Sequence, residues 1–587
     1  MNNYPFPPRS FDQLMLLLEH LLGLFSAAEI GLTVLVLLLG FTVPRLGIGA
    51  FEAAERGLAG FARHPGQQII AVGLLAIALR AAMLPWLGVP EPSVHDETSI
   101  LLQAQTFAAG RLANPPHPFW EHFETFYVNQ LPTYSSMYFP GRGAPLALGL
   151  WLANNAWVGV WLSMVLLCMS ATWMLQAWVG LPMALLGGSL VALRLGAFSF
   201  WVNSYYGGAF TALGAMLVVG ALPRILRQHR WRHGLVMGLG AVILMTSRPY
   251  EGALLCIPVG VAMLAGFIRQ RTQEGGPAIV KATLSVLLLV GAGGAFLLHY
   301  NTATTGNAFK AAYELNRETY ASAPAFLTSP PVASLHQGPA YFGNYFSIEA
   351  SNYQYRYSAL QVVRSMLAKL FYTWNFYVGA ILATAFFCGL WTARRDAFLL
   401  GGTALFFTGY FLETWNFPQY TAPLYPLLLI VTMRGFEWLR APGGRRQATR
   451  LFLARAMPVA TAAVLALPVA FYIFGTPALD GHSIQAICCT SPYDTVRPAL
   501  RKQLLASPGP DLVFVKDGMH NPTEYELVNN EPDIDKSPVV WAHRLSPEKD
   551  ARLQNYFADR NVWEFEWLPD TDKEYRFTLL RPSQAQP

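Results

Sequence analysis

The stretch Val94-His95-Asp96-Glu97-Thr98 sets two adjacent carboxylates a few residues after a long apolar segment. Carboxylates are costly to hold near lipid, so a pair at the mouth of a membrane segment points to a task. Neighbouring side chains lie about 100° apart around a helix and on opposite faces of a strand. Asp96 and Glu97 therefore divide the work: one can act on a substrate while the other anchors the loop or meets a second group. The plainer alternative is a helix N-terminus, where acidic residues in the first turn are mildly stabilising. A second constellation, Ser247-Arg248-Pro249-Tyr250-Glu251-Gly252, places an Arg and a Glu between two short apolar runs. Such a pair either closes on itself and braces a turn, or holds a charged ligand group such as the phosphate of a lipid-linked donor. Arg80 and Arg194, lone charges in apolar runs, are expected to snorkel or to brace.

Between these two points lies a loop dense in rings and charges. After His95 it carries Arg111, then His117-Pro118-Phe119-Trp120-Glu121-His122-Phe123-Glu124, then Tyr134, Tyr138 and Pro140-Gly141-Arg142-Gly143. Aromatic rings interleaved with carboxylates suit a sugar, whose C–H faces stack while its hydroxyls are fixed by polar groups. They also suit a plain interfacial segment, where Trp and Tyr gather at headgroup level. His117, Glu121, His122 and Glu124 could ligate a divalent metal, although nothing in their spacing is diagnostic.

The elements that must position these residues follow from composition. The 587 residues are 53% hydrophobic and only 13% charged, with a mean hydropathy of +0.31. That is a polytopic membrane protein with a soluble part. The net charge of +6 is uneven: residues 475–587 carry −5 and the remainder +11. The basic excess belongs to the membrane part, where it reports topology, so nucleic acid is not an expected partner.

Apolar runs predict about a dozen spans, near 22–43, 67–88, 157–178, 181–201, 207–226, 234–247, 252–268, 281–299, 371–391, 397–412, 420–436 and 458–474. Most approach the roughly 17–25 residues a span needs. An interfacial stretch from Phe11 precedes the first, which reads as an anchor because it lacks a basic leader and a small-residue cleavage site. Loops 44–66, 222–233, 269–280, 392–396 and 434–457 hold 17 Lys+Arg, whereas loops 89–156 and 300–370 hold 7. The positive-inside rule therefore puts the Asp-Glu loop, the 300–370 loop and the C-terminal region outside, which in a bacterium is the periplasmic side of the inner membrane.

Residues 475–587 alternate a helical run (Pro492–Ala506), strands at Asp511–Val515 and Val539–Trp541, a helix (Pro547–Phe557) and strands at Val562–Trp567 and Tyr575–Leu580. This pattern predicts a small α/β domain. It includes His520-Asn521-Pro522 and the acidic run Glu531 to Asp535, read as a solvated loop, but no phosphate-binding glycine loop and no nucleophile triad. Its expected role is to guide acceptors or partners. Cys168, Cys256 and Cys388 fall in spans as packing residues, and the neighbours Cys488 and Cys489 are expected as free thiols or joined to an external partner, because a bond between adjacent cysteines is strained.

An outward loop opening with an Asp-Glu pair after an early span resembles the GT-C glycosyltransferases, in particular the protein O-mannosyltransferase-like branch (glycosyltransferase family 39) in its uncharacterised bacterial members. The resemblance rests on Val94-His95-Asp96-Glu97, Tyr138-Phe139-Pro140-Gly141-Arg142-Gly143 and Arg248-Pro249-Tyr250-Glu251-Gly252, and covers about residues 67–475. It implies transfer of a sugar from a polyprenyl or dolichyl phosphate to an acceptor hydroxyl outside the cytoplasm, with inversion and with Asp96 as base. Lipid A aminoarabinose transferases, a related branch, place a further Asp before the next outer-side helix; the comparable Asn203-Ser204-Tyr205-Tyr206-Gly207-Gly208 has no acid.

The chemistry stands without the family name. One base must take the proton of the attacking hydroxyl, while the departing lipid phosphate needs cationic stabilisation of its developing charge. A glycosidase instead needs two carboxyl groups opposed across the bond, which adjacent acids do not offer. The expected architecture is a mainly α GT-C-like bundle of about twelve helices. Residues 1–66 form an anchor and amphipathic connection, 67–474 the catalytic domain, and 475–587 a periplasmic α/β domain. Asp96 is the expected catalytic residue, with His95, Glu97, Tyr138, Arg142, Arg248, Tyr250 and Glu251 binding substrate and no metal ligand assigned. The expected partners are a lipid-linked sugar donor, a protein, lipid or glycan acceptor, and the membrane, with a divalent metal left open as cofactor. Two rivals remain: a transporter or flippase of lipid-linked saccharide, which would place polar residues near the midplane, and a non-catalytic assembly subunit.

Overall fold

The computed structural model describes residues 24–92, 94–272, 275–331, 334–336, 338, 340–354, 359–444, 446–474, 496–516, 527–568 and 575–583. The stretch from Phe11, Arg445, Cys488, Cys489 and His520-Asn521-Pro522 lie outside the described residues.

The chain opens with α1 (Leu24–Thr42), the amphipathic α2 (Ile48–Ala59), α3 (Pro65–Ala82) and a single turn, α4 (Leu84–Leu87). The Asp-Glu pair begins α5 (His95–Ala108), and a short hairpin, β1 (Val128–Asn129) with β2 (Ser135–Ser136), leads to α6 (Ala144–Ala153). Next come α7 (Ala156–Leu175), α8 (Leu181–Leu195), α9 (Gly208–Leu226), α10 (His233–Ser247), α11 (Pro249–Gln270) and α12 (Gly275–Thr305). Helices α13 (Ala312–Tyr320), α14 (Ala340–Gln354), α15 (Ala359–Tyr377), α16 (Ala383–Thr392), α17 (Ala397–Tyr410), α18 (Tyr425–Arg440), α19 (Gln447–Val464) and α20 (Ala466–Phe474) complete the bundle.

Among the described residues seven helices are long and apolar enough to cross a membrane, and five shorter apolar helices of 10–17 residues accompany them. The protein is a mainly helical, multi-pass membrane protein. Helix α9 forms its centre, with Ala212, Ala215, Met216, Val219 and Ile225 sealed against α7 and α10. Helix α12 lies at the rim and leaves Leu284, Leu287 and Leu288 exposed, as a lipid-facing helix does.

Two expected spans are corrected. The run 371–391 is not one helix: α15 ends at Tyr377, Gly379 takes a left-handed φ of 67°, and α16 starts at Ala383. The break is held by Arg194, whose guanidinium pairs with Glu29 at 2.9 Å and donates to the carbonyls of Phe376 (3.0 Å) and Asn375. A cation on the free carbonyls of a helix end is favourable, and Arg194 thus braces. The run 458–474 is also longer than expected, because α19 begins at Gln447. Gly443 and Gly444, both at positive φ, compress the basic loop into a turn after Arg440.

The two ends of the bundle differ in charge. At one end Glu55 binds Arg440 and Arg455, both at 2.7 Å, and Asp396 binds Arg434 at 2.8 Å. The other end carries the Asp-Glu loop, α13, α14 and a C-terminal unit of α21 (Val496–Leu505), β3 (Asp511–Lys516), β4 (Val539–His543), α22 (Pro547–Tyr556), β5 (Asn561–Trp567) and β6 (Tyr575–Arg581). Its sheet runs β4-β3-β5-β6, parallel except for the last pair. One face, with Leu512, Phe514, Val540 and Ala542, shares a core with Phe123, Val128 and Tyr134 of the Asp-Glu loop. The acidic run is more than a solvated loop: Glu531 pairs with Arg501, Asp533 with Arg111 and Asp535 with His117. Apolar contact and the Arg111–Asp533 and His117–Asp535 pairs fasten the sheet onto the loop.

Candidate functional site

Val94 is extended and its amide donates to Glu97 Oε2 at 3.3 Å, which opens α5 and puts Asp96 in the first helical turn. The two acids then diverge as their helical spacing requires. Glu97 is 1% exposed, and its Oε1 accepts the Tyr205 amide at 2.7 Å. With both oxygens on backbone amides, Glu97 fastens the 196–207 connection to α5. Asp96 points the other way: Tyr138 donates its hydroxyl to Oδ1 and Tyr206 is hydrogen-bonded to the same carboxylate. Burial first, and the Asp96 charge second, hold both phenols protonated far above their ordinary range. They are therefore fixed donors. His95, with Nε2 3.8 Å from Asp96 Oδ2, is packed among Phe126, Tyr127 and Tyr345 at ring distances of 4.8–5.3 Å.

The arginines stand behind this carboxylate. Arg142 lies over Tyr138 (4.9 Å) and Tyr206 (5.9 Å) and donates to the Tyr206 carbonyl at 3.2 Å. Arg248 ends α10 and precedes Pro249, the first residue of α11; it pairs with Glu251 at 2.6 Å and lies 3.9 Å from the Tyr420 ring centre. Arg142 and Arg248 are near enough to repel: burial and then the Arg248 charge push the Arg142 guanidinium down. Two buried cations side by side are relieved by an anion between them.

Directly below Pro249 and Gly252 an apolar groove of about 640 Å³ runs down the bundle between α9, α10, α11 and α12. Leu244, Val259, Met263, Ile279 and Leu287 line it, with Thr283 and Cys256 as its mildly polar members. Neither arginine lines the groove; Arg248 adjoins it through Pro249, and a cation next to an apolar groove suits an amphiphile with an anionic head.

The structure thus gathers Asp96, Tyr138, Arg142, Arg248 and Glu251, and leaves Glu97 and Tyr250 aside. Tyr250 donates to the Gly409 carbonyl at 3.0 Å and packs on Phe326. The loop acids and histidines that could have ligated a metal separate: His117 meets Asp535, Glu121 meets Lys549, His122 meets the His543 carbonyl, and Glu124 meets His336 and Tyr320. Among the described residues no three His, Cys, Asp or Glu side chains converge on a metal position. Sequence reasoning missed Tyr206, Tyr420, Tyr127 and Tyr345. Tyr206 lay in the segment noted only for its missing acid, and the others carry no spacing signal.

No family model matches the chain, and no curated protein does. Solved structures of the Archaeoglobus fulgidus oligosaccharyltransferase are similar to it. The complex with zinc and sulfate has a TM-score of 0.45 at 10% identity over 76% of this chain and 60% of that one. The form tethered to an acceptor peptide gives 0.41 at 8% identity over 77% and 61%, and the complex with an inhibitory peptide and a dolichol-phosphate gives 0.38 at 9% over 77% and 62%. The chain therefore spans about three fifths of the length of those proteins.

Proposed function

We propose that this protein is a GT-C-type glycosyltransferase that moves a sugar from a polyprenyl-phosphate donor to an acceptor hydroxyl, with inversion, on the periplasmic side of a bacterial inner membrane. The observation that carries the reading is the approach of Arg142 to Arg248, which adjoins the apolar groove through Pro249, with Asp96 beyond the Tyr138 and Tyr206 rings. The isoprenoid lies in the groove, and the phosphate sits between the guanidiniums. The acceptor oxygen attacks the anomeric carbon as Asp96 takes its proton, and the electron pair of the broken carbon–oxygen bond stays on the phosphate. Tyr138 and Tyr206 orient the carboxylate, and Glu251 orients Arg248. The sheet unit, fused to the Asp-Glu loop, guides the acceptor.

Asp96→Asn keeps size and hydrogen bonding but removes the base, so transfer should fall about 10²–10⁴-fold while undecaprenyl phosphate still binds. Arg248→Ala would strand Glu251 in apolar surroundings. The double change Arg248→Leu with Glu251→Leu removes both charges and should abolish lipid-phosphate binding in a folded protein. Wild-type transfer by Asp96→Asn would sink the assignment of the base.

A further inference from the structure

One buried group near Arg248 has no place in that mechanism. The connection 411–424, outside the spanning helices, carries Glu413 at 5% exposure. Its backbone is fully held: the amide donates to Tyr410, the carbonyl accepts Lys369 Nζ at 2.6 Å, and the next amide donates to Ala325. Its carboxyl is not, since neither oxygen has a hydrogen-bond partner among the described residues. The same connection lays Tyr420 against Arg248, and the Glu413 and Arg248 groups lie close enough for their charges to interact. The charged and titratable groups around it are Glu251 and Tyr250 on α11, Arg248 before it, Lys369 on α15, Tyr410 at the end of α17, and Tyr420 on its own connection.

A buried carboxylate without donors is strongly disfavoured, and a neutral carboxylic acid is the form such a place selects. Burial first and the Glu251 charge second push Glu413 well above the usual carboxylate range, against the opposing pull of Lys369 and Arg248. A neutral acid then presents an O–H donor in search of an acceptor. We infer that Glu413 is a phosphate-binding residue: a carboxylic acid whose O–H hydrogen-bonds an oxygen of the lipid phosphate held by Arg248. The inference rests on the proposed placement of that phosphate. It makes phosphate binding depend on the proton of Glu413, because ionised Glu413 would repel the anion.

The probe is undecaprenyl methyl phosphate, a phosphodiester with one charge across the working pH range, titrated against the full-length protein in nanodiscs. Affinity of the wild type should be flat at low pH and fall about tenfold per pH unit once Glu413 ionises, the slope of one linked proton. Glu413→Gln, near-isosteric and always neutral, should bind without that fall; Glu413→Ala should bind more weakly throughout. Infrared difference spectra should show a protonated carboxyl band in the wild type that Glu413→Gln lacks. An unchanged pH slope in Glu413→Gln, or no such band, overturns the role of Glu413 alone. Binding that survives the Arg248→Leu, Glu251→Leu double change overturns the phosphate placement, and this inference with it.

Discussion

Gly141 donates its amide to the carbonyl of Thr246 at 2.8 Å, fastening the loop that carries Arg142 two residues before Arg248. This contact sets the separation of the two arginines. A Cβ on Gly141 would lie 2.6 Å from Thr246 Oγ1 and 2.8 Å from its carbonyl oxygen, too close for either to remain in place. Gly141→Ala should therefore cost about 1–3 kcal/mol of stability, as overpacking does, and should weaken lipid-phosphate binding. Thermal unfolding and a binding titration check both; wild-type values would mean the loop is registered elsewhere.

Glu97 acts on architecture. Removing its carboxyl leaves the buried Tyr205 amide without an acceptor, a loss of about 1–3 kcal/mol. Glu97→Ala should lower the melting temperature clearly, and Glu97→Gln, which keeps an accepting oxygen, should do so less. Equal melting temperatures for the two would show that the amide is satisfied by another group.

The seam between the Asp-Glu loop and the sheet should loosen in acid. Burial pushes both His117 and His122 down, against the pull of Asp535 on the first and the His543 carbonyl on the second. A depressed histidine is neutral in the fold, so the unfolded chain takes the proton first. Stability is full above the ordinary histidine value of about 6.5 and is lost as pH falls through it toward the folded value. Glu124, raised chiefly by burial, acts the other way, gaining on acidification at lower pH. Hydrogen exchange of β4 and the 117–124 segment between pH 8 and pH 5.5 should show faster opening at the lower value, and His122→Gln should flatten that trend. A seam indifferent to pH would contradict it.

Residues joined by contact share one side of the membrane. Arg111 meets Asp533 and His336 meets Glu124, so the 89–156, 300–370 and C-terminal segments must be labelled together. Single cysteines at Ser507 and Asn307 should react with an impermeant reagent from outside, and one at Gly444 only from the cytoplasm. A cytoplasmic Ser507 would reverse the orientation.

Sequence by itself determined what depends on local pattern. Runs of apolar residues marked the bundle, because each span must bury or offer to lipid a continuous stretch. The six elements of the C-terminal unit, α21 to β6, were legible because period and turn residues change sharply at each boundary. The divergence of Asp96 from Glu97 was also legible, being a property of any helix. What each acid meets was not: Tyr206 lies 110 residues beyond Asp96 in sequence, and Tyr420 is further from Arg248 than any pattern reaches. Two apolar runs misread as single or shorter spans turned on contacts of this kind, since the break at Gly379 exists where Arg194 captures the end of α15. Glu413 is the sharpest case. In sequence it is one acid after an apolar helix; only the packing of α11, α15 and its own connection excludes water from it, and exclusion of water is what makes a carboxyl a proton-bearing donor.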